Sequence, residues 1–146
     1  MSALLYVLNG PNLNLLGIRE PHLYGSTTLQ EVAALCDRVA GELGYGCEFR
    51  QTNHEGVMVD WVQEAREKAA AIVINPAGLS FRSIPLLDAL KTLDQPIAEV
   101  HVTNIHRRDA LYQHSLVSLA ATGVICGFGA QGYELAIRAL AHRLAH

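Results

Sequence analysis

Short apolar runs alternate along the chain with segments in which apolar residues recur at helical spacing. Apolar runs that end at Asn, Gly, Pro or Thr are typical of strands buried on both faces of a parallel sheet, and they lie at residues 4–8, 71–74, 97–102 and 123–127. Residues 47–51 instead alternate between apolar and polar positions, which predicts an edge strand.

Four segments between these strands have the spacing of amphipathic helices. Residues 29–43 follow a Thr27-Thr28 cap and precede Gly44, and residues 57–70, 84–90 and 133–144 show related patterns. We predict the order βαβαβαβαβα. This order implies an α/β fold, a flavodoxin-like doubly wound five-stranded parallel sheet with strand order 2-1-3-4-5. The length predicts a single domain, residues 1–146.

The composition limits the kinds of molecule that the protein is expected to bind. Half of the residues are hydrophobic and 17% are charged, so the chain is expected to bury a core, and a net charge of -3 argues against nucleic acid. No apolar run approaches the length of a membrane span, so no membrane partner is expected. Cys36, Cys47 and Cys126 share no C-x-x-C spacing, which favours buried thiols in the reducing cytoplasm.

Polar residues and glycines follow nearly every predicted strand. In open α/β sheets, ligands bind outside the carboxyl ends of the strands at the switch point, here between the first and third strands. Polar loop residues are also common for purely structural reasons. We therefore expect a small-molecule site at this edge, drawn from the residues that follow the strands: Asn9, Asn12, Asn53, Glu55, Asn75, His101, Thr103, Asn104, Gly127 and Gly129.

The loop after the first strand is unusually long, from residue 9 to about residue 26, and is expected to have no regular structure. Gly17 and Gly25 bracket Arg19 and Tyr24, which predicts a mobile flap over the strand ends. A tyrosine ionises near pH 10, so one that acts as a base near neutrality needs a pKa lowered by about 3 units. A nearby guanidinium supplies part of that shift. The alternative is a surface arginine beside a tyrosine that only packs.

Glu99 and His101 are two residues apart in a predicted strand, so their side chains should share one face. A carboxylate beside an imidazole orients the ring and favours its protonated form, which suits a general acid. A purely structural buried histidine is the alternative. The other histidines, including His106, His142 and His146, show no metal-ligand spacing, and the chain lacks a dinucleotide fingerprint, so neither metal nor cofactor is predicted.

Several long motifs resemble the type II 3-dehydroquinate dehydratases over nearly the whole chain. They are Asn9-Gly10-Pro11-Asn12-Leu13-Asn14-Leu15-Leu16-Gly17, Arg19-Glu20-Pro21, Tyr24-Gly25, Gln51-Thr52-Asn53-His54-Glu55-Gly56, Asn75-Pro76-Ala77-Gly78, Glu99-Val100-His101-Val102-Thr103-Asn104-Ile105-His106 and Gly127-Phe128-Gly129-Ala130-Gln131-Gly132-Tyr133.

The resemblance implies a cofactor-free hydro-lyase. Such an enzyme converts 3-dehydroquinate to 3-dehydroshikimate by anti elimination of water, in aromatic biosynthesis or in quinate breakdown. It further implies that Tyr24, with its pKa lowered by Arg19, is the base, and that Asn12 holds a water that stabilises the enolate. His101, oriented by Glu99, would then protonate the departing hydroxyl.

The resemblance also assigns substrate contacts and an assembly. Asn75 and the amides of Val102 and Thr103 would bind the substrate carboxylate, and Arg108 matches the family. Asp88 would reach toward the site of a neighbouring subunit. The implied assembly is a homododecamer, a tetramer of trimers.

Two pocket positions depart from the family pattern. Phe81 stands where the family usually has His, and Tyr112 stands where it usually has Arg, although both family residues usually hold the substrate's ring hydroxyls. Leu79 likewise replaces a common Tyr, while Arg82 and Arg107 are available to compensate. Three hypotheses therefore remain: 3-dehydroquinate dehydration, the same elimination on a related cyclic hydroxy-ketone, and a non-catalytic metabolite-binding paralogue.

Overall fold

A computed structural model describes residues 3–146 and contains one five-stranded parallel sheet. The strand order is β2-β1-β3-β4-β5, which confirms the predicted 2-1-3-4-5 arrangement. The strands are β1 (Leu4–Asn9), β2 (Gly46–Gln51), β3 (Ala69–Asn75), β4 (Ile97–His101) and β5 (Gly123–Cys126).

Helices cover both faces of the sheet. They are α1 (Pro21–Tyr24), α2 (Leu29–Glu42), α3 (Glu55–Lys68), α4 (Ile84–Leu90) and α5 (Gln131–Ala145). The start of α2 is fixed by a capping box between Thr28 and Glu31, as the threonine pair before it predicts. No helix among residues 3–146 combines the length and the apolar character needed to cross a membrane.

Side chains alternate between two separate cores, one on each face of the sheet. Leu5 and Val7 of β1 pack with α2 and α5, whereas Tyr6 and Leu8 pack with α3 and α4. Burial of both faces explains why the central strands are continuous apolar runs, since neither set of side chains meets water.

The connection between β4 and β5 differs from the predicted order. Three short 3-10 turns (Ile105–Arg107, Ala110–Tyr112 and Val117–Leu119) replace the fourth crossover helix that the order requires. Only Ile105 and Val117 of these turns are buried, so this stretch has no apolar stripe that could seat a helix on the sheet.

The missing helix also exposes β5. Residues 123–127 were expected to form a strand buried on both faces, but β5 is the second edge of the sheet and Val124 is 42% exposed. Ile125, on the opposite face, packs against the core that contains α5. Strand β2 is the other edge, as its alternating sequence predicts.

The first loop is more ordered than its sequence suggests, since it contains a 3-10 turn at Leu13–Leu15 and the short helix α1. Gly17 and Gly25, the predicted hinges, have φ values of 88° and 83°, which a side chain would disfavour. The three cysteines are free, Cys36 being buried and the other two half-buried, and burial raises the pKa of Cys47 to about 11.

Candidate active site

The main candidate site is a cavity of about 190 Å³ at the carboxyl ends of β1, β3 and β4, where the switch point of the sheet lies. Six of the residues expected at the strand ends do not line it: Asn9, Asn53, Glu55, Asn104, Gly127 and Gly129. The residues that the resemblance places at the site all line it, except Glu99 and Asp88. They are Asn12, Arg19, Tyr24, Asn75, Phe81, His101, Val102, Thr103, Arg108 and Tyr112, and the other lining residues are Pro11, Leu13, Ala77, Gly78 and Ile105.

The floor of the cavity is a buried hydrogen-bonded bridge. The Tyr133 hydroxyl donates to Asn9 Oδ1 at 2.7 Å and accepts from Asn75 Nδ2 at 2.9 Å. Asn75 Oδ1 in turn accepts from the amide of Ala77 at 3.2 Å. Burial raises the pKa of Tyr133, so this hydroxyl stays protonated and ties α5 to β1 and β3.

Two loops of the site are packed so closely that only glycine fits between them. A Cβ on Gly10 would lie 2.3 Å from the carbonyl oxygen of Pro76, and the Gly10 amide donates to the Asn75 carbonyl at 2.9 Å. Asn12 follows with a φ of 71°, and its amide donates to Asn53 Oδ1 at 2.9 Å. These contacts hold Asn12 at the rim of the cavity.

Glu99 and His101 form the pair that their spacing predicts. His101 Nε2 lies 2.5 Å from Glu99 Oε2, while Glu99 is fully buried and His101 is 5% exposed. Burial by itself raises the pKa of Glu99, but contacts with His101, Ser118 and Ser115 outweigh it and hold that pKa below its usual range. Glu99 is therefore an ionised carboxylate behind the ring, and His101 is the member that faces the cavity.

Tyr24 and two guanidinium groups lie together in the cavity. The Arg19 Cζ atom is 5.2 Å from the centroid of the Tyr24 ring, and the Arg108 Cζ atom is 5.6 Å from it. Arg19 also lies 3.6 Å from the Glu20 carboxylate in a half-exposed ion pair. Sequence proximity predicts only Arg19 as a partner of Tyr24; Arg108 joins it from the β4–β5 connection.

Comparison with known proteins places the chain in a family. Residues 3–141 match the family model described as "Dehydroquinase class II". The chain belongs to the class II dehydroquinase family. Curated relatives named 3-dehydroquinate dehydratase include one from Phenylobacterium zucineum, 55% identical over 141 residues and 97% of each chain, and one from Caulobacter vibrioides, 57% identical over 135 residues and 92% of each chain.

A solved structure of a type II dehydroquinase has the same fold as this chain. The type II dehydroquinase from Propionibacterium acnes superposes with a TM-score of 0.93 at 46% identity, covering 97% of this chain and 98% of that one. The likeness to class II dehydroquinases therefore extends across the sheet, its helices and the strand ends that form the cavity.

This class II dehydroquinase chain has an aromatic wall formed by Phe81 and Tyr112. The rings of Phe81 and Tyr112 meet edge to face at a centroid distance of 5.4 Å, and Phe81 lies 6.5 Å from the His101 ring. The Arg108 guanidinium stacks on Tyr112 with its Cζ atom 4.3 Å from the ring centroid. The wall offers a flat apolar surface and one cation to a bound molecule.

Asp88, Arg82 and Arg107 also lie outside the main cavity. Asp88 on α4 and Arg82 before it are exposed to solvent, and neither lines the cavity. Arg107 instead lines a neighbouring concavity that shares Tyr24 and Arg108 with the main one. Within residues 3–146, no three His, Cys, Asp or Glu side chains are arranged to hold a metal ion.

Two residues of the site are not identified as functional by the sequence. Tyr133 follows a glycine-rich motif, but its link to Asn9 and Asn75 spans 124 and 58 residues. Ser118 donates to Glu99 Oε1 at 2.6 Å from a turn that carries no recognisable motif. Local spacing predicts neither contact, because both depend on how distant segments pack.

Proposed function

We propose that this protein dehydrates 3-dehydroquinate to 3-dehydroshikimate by anti elimination of water without a cofactor. Family membership and the names of its relatives support the substrate. The observation that carries the mechanism is the pairing, in one cavity, of Tyr24 beside two guanidiniums with His101 backed by an ionised glutamate. Together they supply a general base and a general acid for the elimination.

In the first step, the Tyr24 phenolate removes a proton from the carbon next to the ketone. The electron pair of that C–H bond moves to the ketone oxygen and forms an enolate. Arg19 and Arg108 place two positive charges beside the Tyr24 ring. A water held by Asn12 donates to the enolate oxygen and stabilises the charge that develops there.

In the second step, His101 protonates the departing hydroxyl, which leaves as water. The enolate collapses, the C–O bond breaks and a carbon–carbon double bond forms in conjugation with the ketone. Because Glu99 is ionised and accepts from Nε2, Nδ1 is the nitrogen that donates to the departing hydroxyl. Solvent then returns a proton from Tyr24 to His101.

Substrate binding is proposed to divide between the two sides of the cavity. Asn75 and the amides of Val102 and Thr103 hold the carboxylate, in keeping with their place at the strand ends. Arg108, Phe81 and Tyr112 contact the ring.

The proposed assembly is a homododecamer of four trimers in which Asp88 reaches the site of a neighbouring subunit. The exposed position of Asp88 on α4 suits that role. Ile84, Leu119 and Phe128 are 60%, 71% and 67% exposed, so apolar surface is available for subunit contacts.

The test is steady-state formation of the conjugated enone, followed by ultraviolet absorbance with purified protein and 3-dehydroquinate. We expect turnover by the wild type and a kcat at least about a hundredfold lower for Tyr24→Phe, the lower range for loss of a general base. Substrate binding by the variant should be nearly unchanged. Near-normal turnover by Tyr24→Phe would remove the tyrosine from the proposed role.

A second candidate function keeps the elimination but changes the substrate. Phe81 offers no hydrogen bond to a ring hydroxyl, and Tyr112 offers one neutral hydroxyl in place of a guanidinium. The loss of hydrogen bonds to a substrate costs orders of magnitude in kcat/KM. Competition between 3-dehydroquinate and cyclic hydroxy-ketones with fewer or modified hydroxyls distinguishes the two. If lost contacts limit the enzyme, Phe81→His with Tyr112→Arg should raise kcat/KM for 3-dehydroquinate.

A third outcome is tight binding of 3-dehydroquinate without turnover, which would favour the metabolite-binding paralogue. The paired Glu99 and His101 argue against it, because a non-catalytic binding protein has no need for an oriented imidazolium.

A further inference from the structure

Both oxygens of the buried Glu99 carboxylate accept a side-chain hydrogen bond. His101 Nε2 lies 2.5 Å from Oε2, and Ser118 Oγ donates to Oε1 at 2.6 Å. Ser118, Glu99 and His101 thus form a continuous chain from the surface turn Val117–Leu119 to the cavity. The first link of this chain has no place in the mechanism proposed above.

The turn that carries Ser118 is held rigidly. The amide of Leu116 donates to the Ser80 carbonyl at 2.7 Å, and the amide of Ala120 donates to the Val117 carbonyl at 2.9 Å. Val117 is fully buried in the core that contains α3 and α4. The Ser118 hydroxyl is therefore presented to Glu99 from a fixed backbone.

An ionised carboxylate accepts hydrogen bonds and donates none, so Nε2 of His101 must carry a proton in this pair. A carboxylate held by one donor can turn about its terminal bond, whereas one held at both oxygens cannot. With Oε1 anchored by Ser118, Oε2 is aimed at Nε2 and the tautomer and orientation of the ring are set.

We propose that Ser118 is a positioning residue for His101: its hydroxyl anchors Glu99 so that the imidazole presents Nδ1 to the bound substrate. The catalytic consequence rests on the proposed function, whereas the effect on the ring does not. Ser118 acts through Glu99 and does not line the cavity itself.

The kinetic test uses Ser118→Ala, the conservative variant Ser118→Thr and a matched control, Ser80→Ala. The Ser80 hydroxyl is also buried near the site but makes no hydrogen bond within residues 3–146. We expect Ser118→Ala to lower kcat about fivefold to tenfold, the scale of one hydrogen bond to a charged group, with KM nearly unchanged. Ser118→Thr should recover most of that loss, and Ser80→Ala should match the wild type.

The pH dependence of kcat/KM distinguishes a positioning role of Ser118 from a loss of stability alone. Without the Ser118 donor, Glu99 becomes a stronger acceptor and holds the proton it shares with His101 more tightly. The basic limb of the kcat/KM profile should therefore move to higher pH in Ser118→Ala but not in Ser118→Thr or Ser80→Ala. The other titratable groups around the pair are the same in all variants: Arg19, Tyr24, Arg108, Tyr112 and Cys126.

A spectroscopic readout keeps the inference testable if the wild type fails to turn over 3-dehydroquinate. Nitrogen NMR of isotope-labelled histidine rings, with His101 assigned by its absence in His101→Asn, should show a single Nε2-protonated tautomer in the wild type at a pH where the ring is neutral. Ser118→Ala should give a mixed tautomer signal, and Ser118→Thr should restore the single one. An unchanged spectrum together with an unchanged kcat in Ser118→Ala would overturn the proposal, as would a loss that Ser118→Thr does not recover.

Discussion

Glu99 and Glu64 have similar partners but opposite surroundings. Each carboxylate accepts from one nitrogen side chain and one hydroxyl: Glu99 from His101 and Ser118, and Glu64 from the Arg50 guanidinium at 2.7 Å and a tyrosine hydroxyl at 2.6 Å. Glu99 is fully buried beside the cavity, whereas the Glu64 side chain is 31% exposed and lies away from it.

The difference lies in the partner that carries the positive charge. An arginine stays charged at every physiological pH, so Glu64 and Arg50 form a permanent ion pair. Arg50 also stacks on Tyr6 and Trp61, with its Cζ atom 5.1 and 5.6 Å from their ring centroids. A histidine gains and loses its proton near neutrality. The same bonding pattern therefore makes a structural clamp in one region and, as we propose, an acid in the other.

The largest expected effect comes from removing the proton donor. His101→Asn should lower kcat by about a hundredfold to ten-thousandfold, the range for loss of general acid catalysis, with a small change in KM. Steady-state assays with 3-dehydroquinate measure it, and thermal melting checks that the fold is kept. A variant that retains more than about a tenth of wild-type kcat would contradict the role of His101.

Neutralising the buried Glu99 carboxylate should lower kcat less than the loss of His101 does. Glu99→Gln keeps the shape but removes the negative charge that stabilises the imidazolium, so kcat should fall about tenfold to a hundredfold. The matched change in the other region is Glu64→Gln, assayed alongside, which should leave kcat within about twofold of the wild type because Glu64 does not approach the cavity. Equal losses in the two variants would mean that the two glutamates do not differ in function.

Weakening the hydrogen-bonded cluster of Glu64, Arg50 and Tyr6 should lower the stability of the fold and leave turnover unchanged. Tyr6→Phe removes the hydroxyl that donates to Glu64 at 2.6 Å, and its ring remains packed in the core. The free energy of unfolding should fall by about 1 kcal/mol, the usual value of one hydrogen bond. Urea denaturation measures the change; a loss of kcat without a loss of stability would contradict it.

The smallest effect is a pH dependence of stability. Hydrogen bonds from Arg50 and Tyr6 lower the pKa of Glu64 from 4.5 to about 2. A pKa lowered by folding stabilises the protein above the unfolded value, and that stabilisation is lost as pH falls from about 4.5 toward 2. The Tm difference between wild type and Glu64→Gln should thus be full at neutral pH and shrink in acid. A Tm difference that stays constant with pH would show that the stabilisation does not come from the charge of Glu64.

Interactions within one strand or one loop are the ones that the sequence predicts well. The spacing of Glu99 and His101 predicts a shared face because strand geometry decides it, and continuous apolar runs predict strands that are buried on both faces. Arg19 and Tyr24 are found because they belong to one loop. Each of these predictions needs only short-range geometry.

The remaining features depend on packing between distant segments. Ser118 reaches Glu99 across 19 residues, and Tyr133 reaches Asn9 across 124. The missing helix between β4 and β5 escaped prediction because the rule of alternating strands and helices was extended to a stretch without an apolar stripe. Exposure of Val124 follows from that same absence.

The close packing of Gly10 against Pro76 also limits how the pocket can be redesigned. Since a Cβ at residue 10 would collide with the Pro76 carbonyl, the loops that carry Asn12 and Asn75 behave as one unit and tolerate little independent variation. Mutant libraries aimed at new substrates should leave both loops untouched. Diversity is better placed at Phe81 and Tyr112, whose side chains contact each other in the cavity and make no hydrogen bonds to that unit.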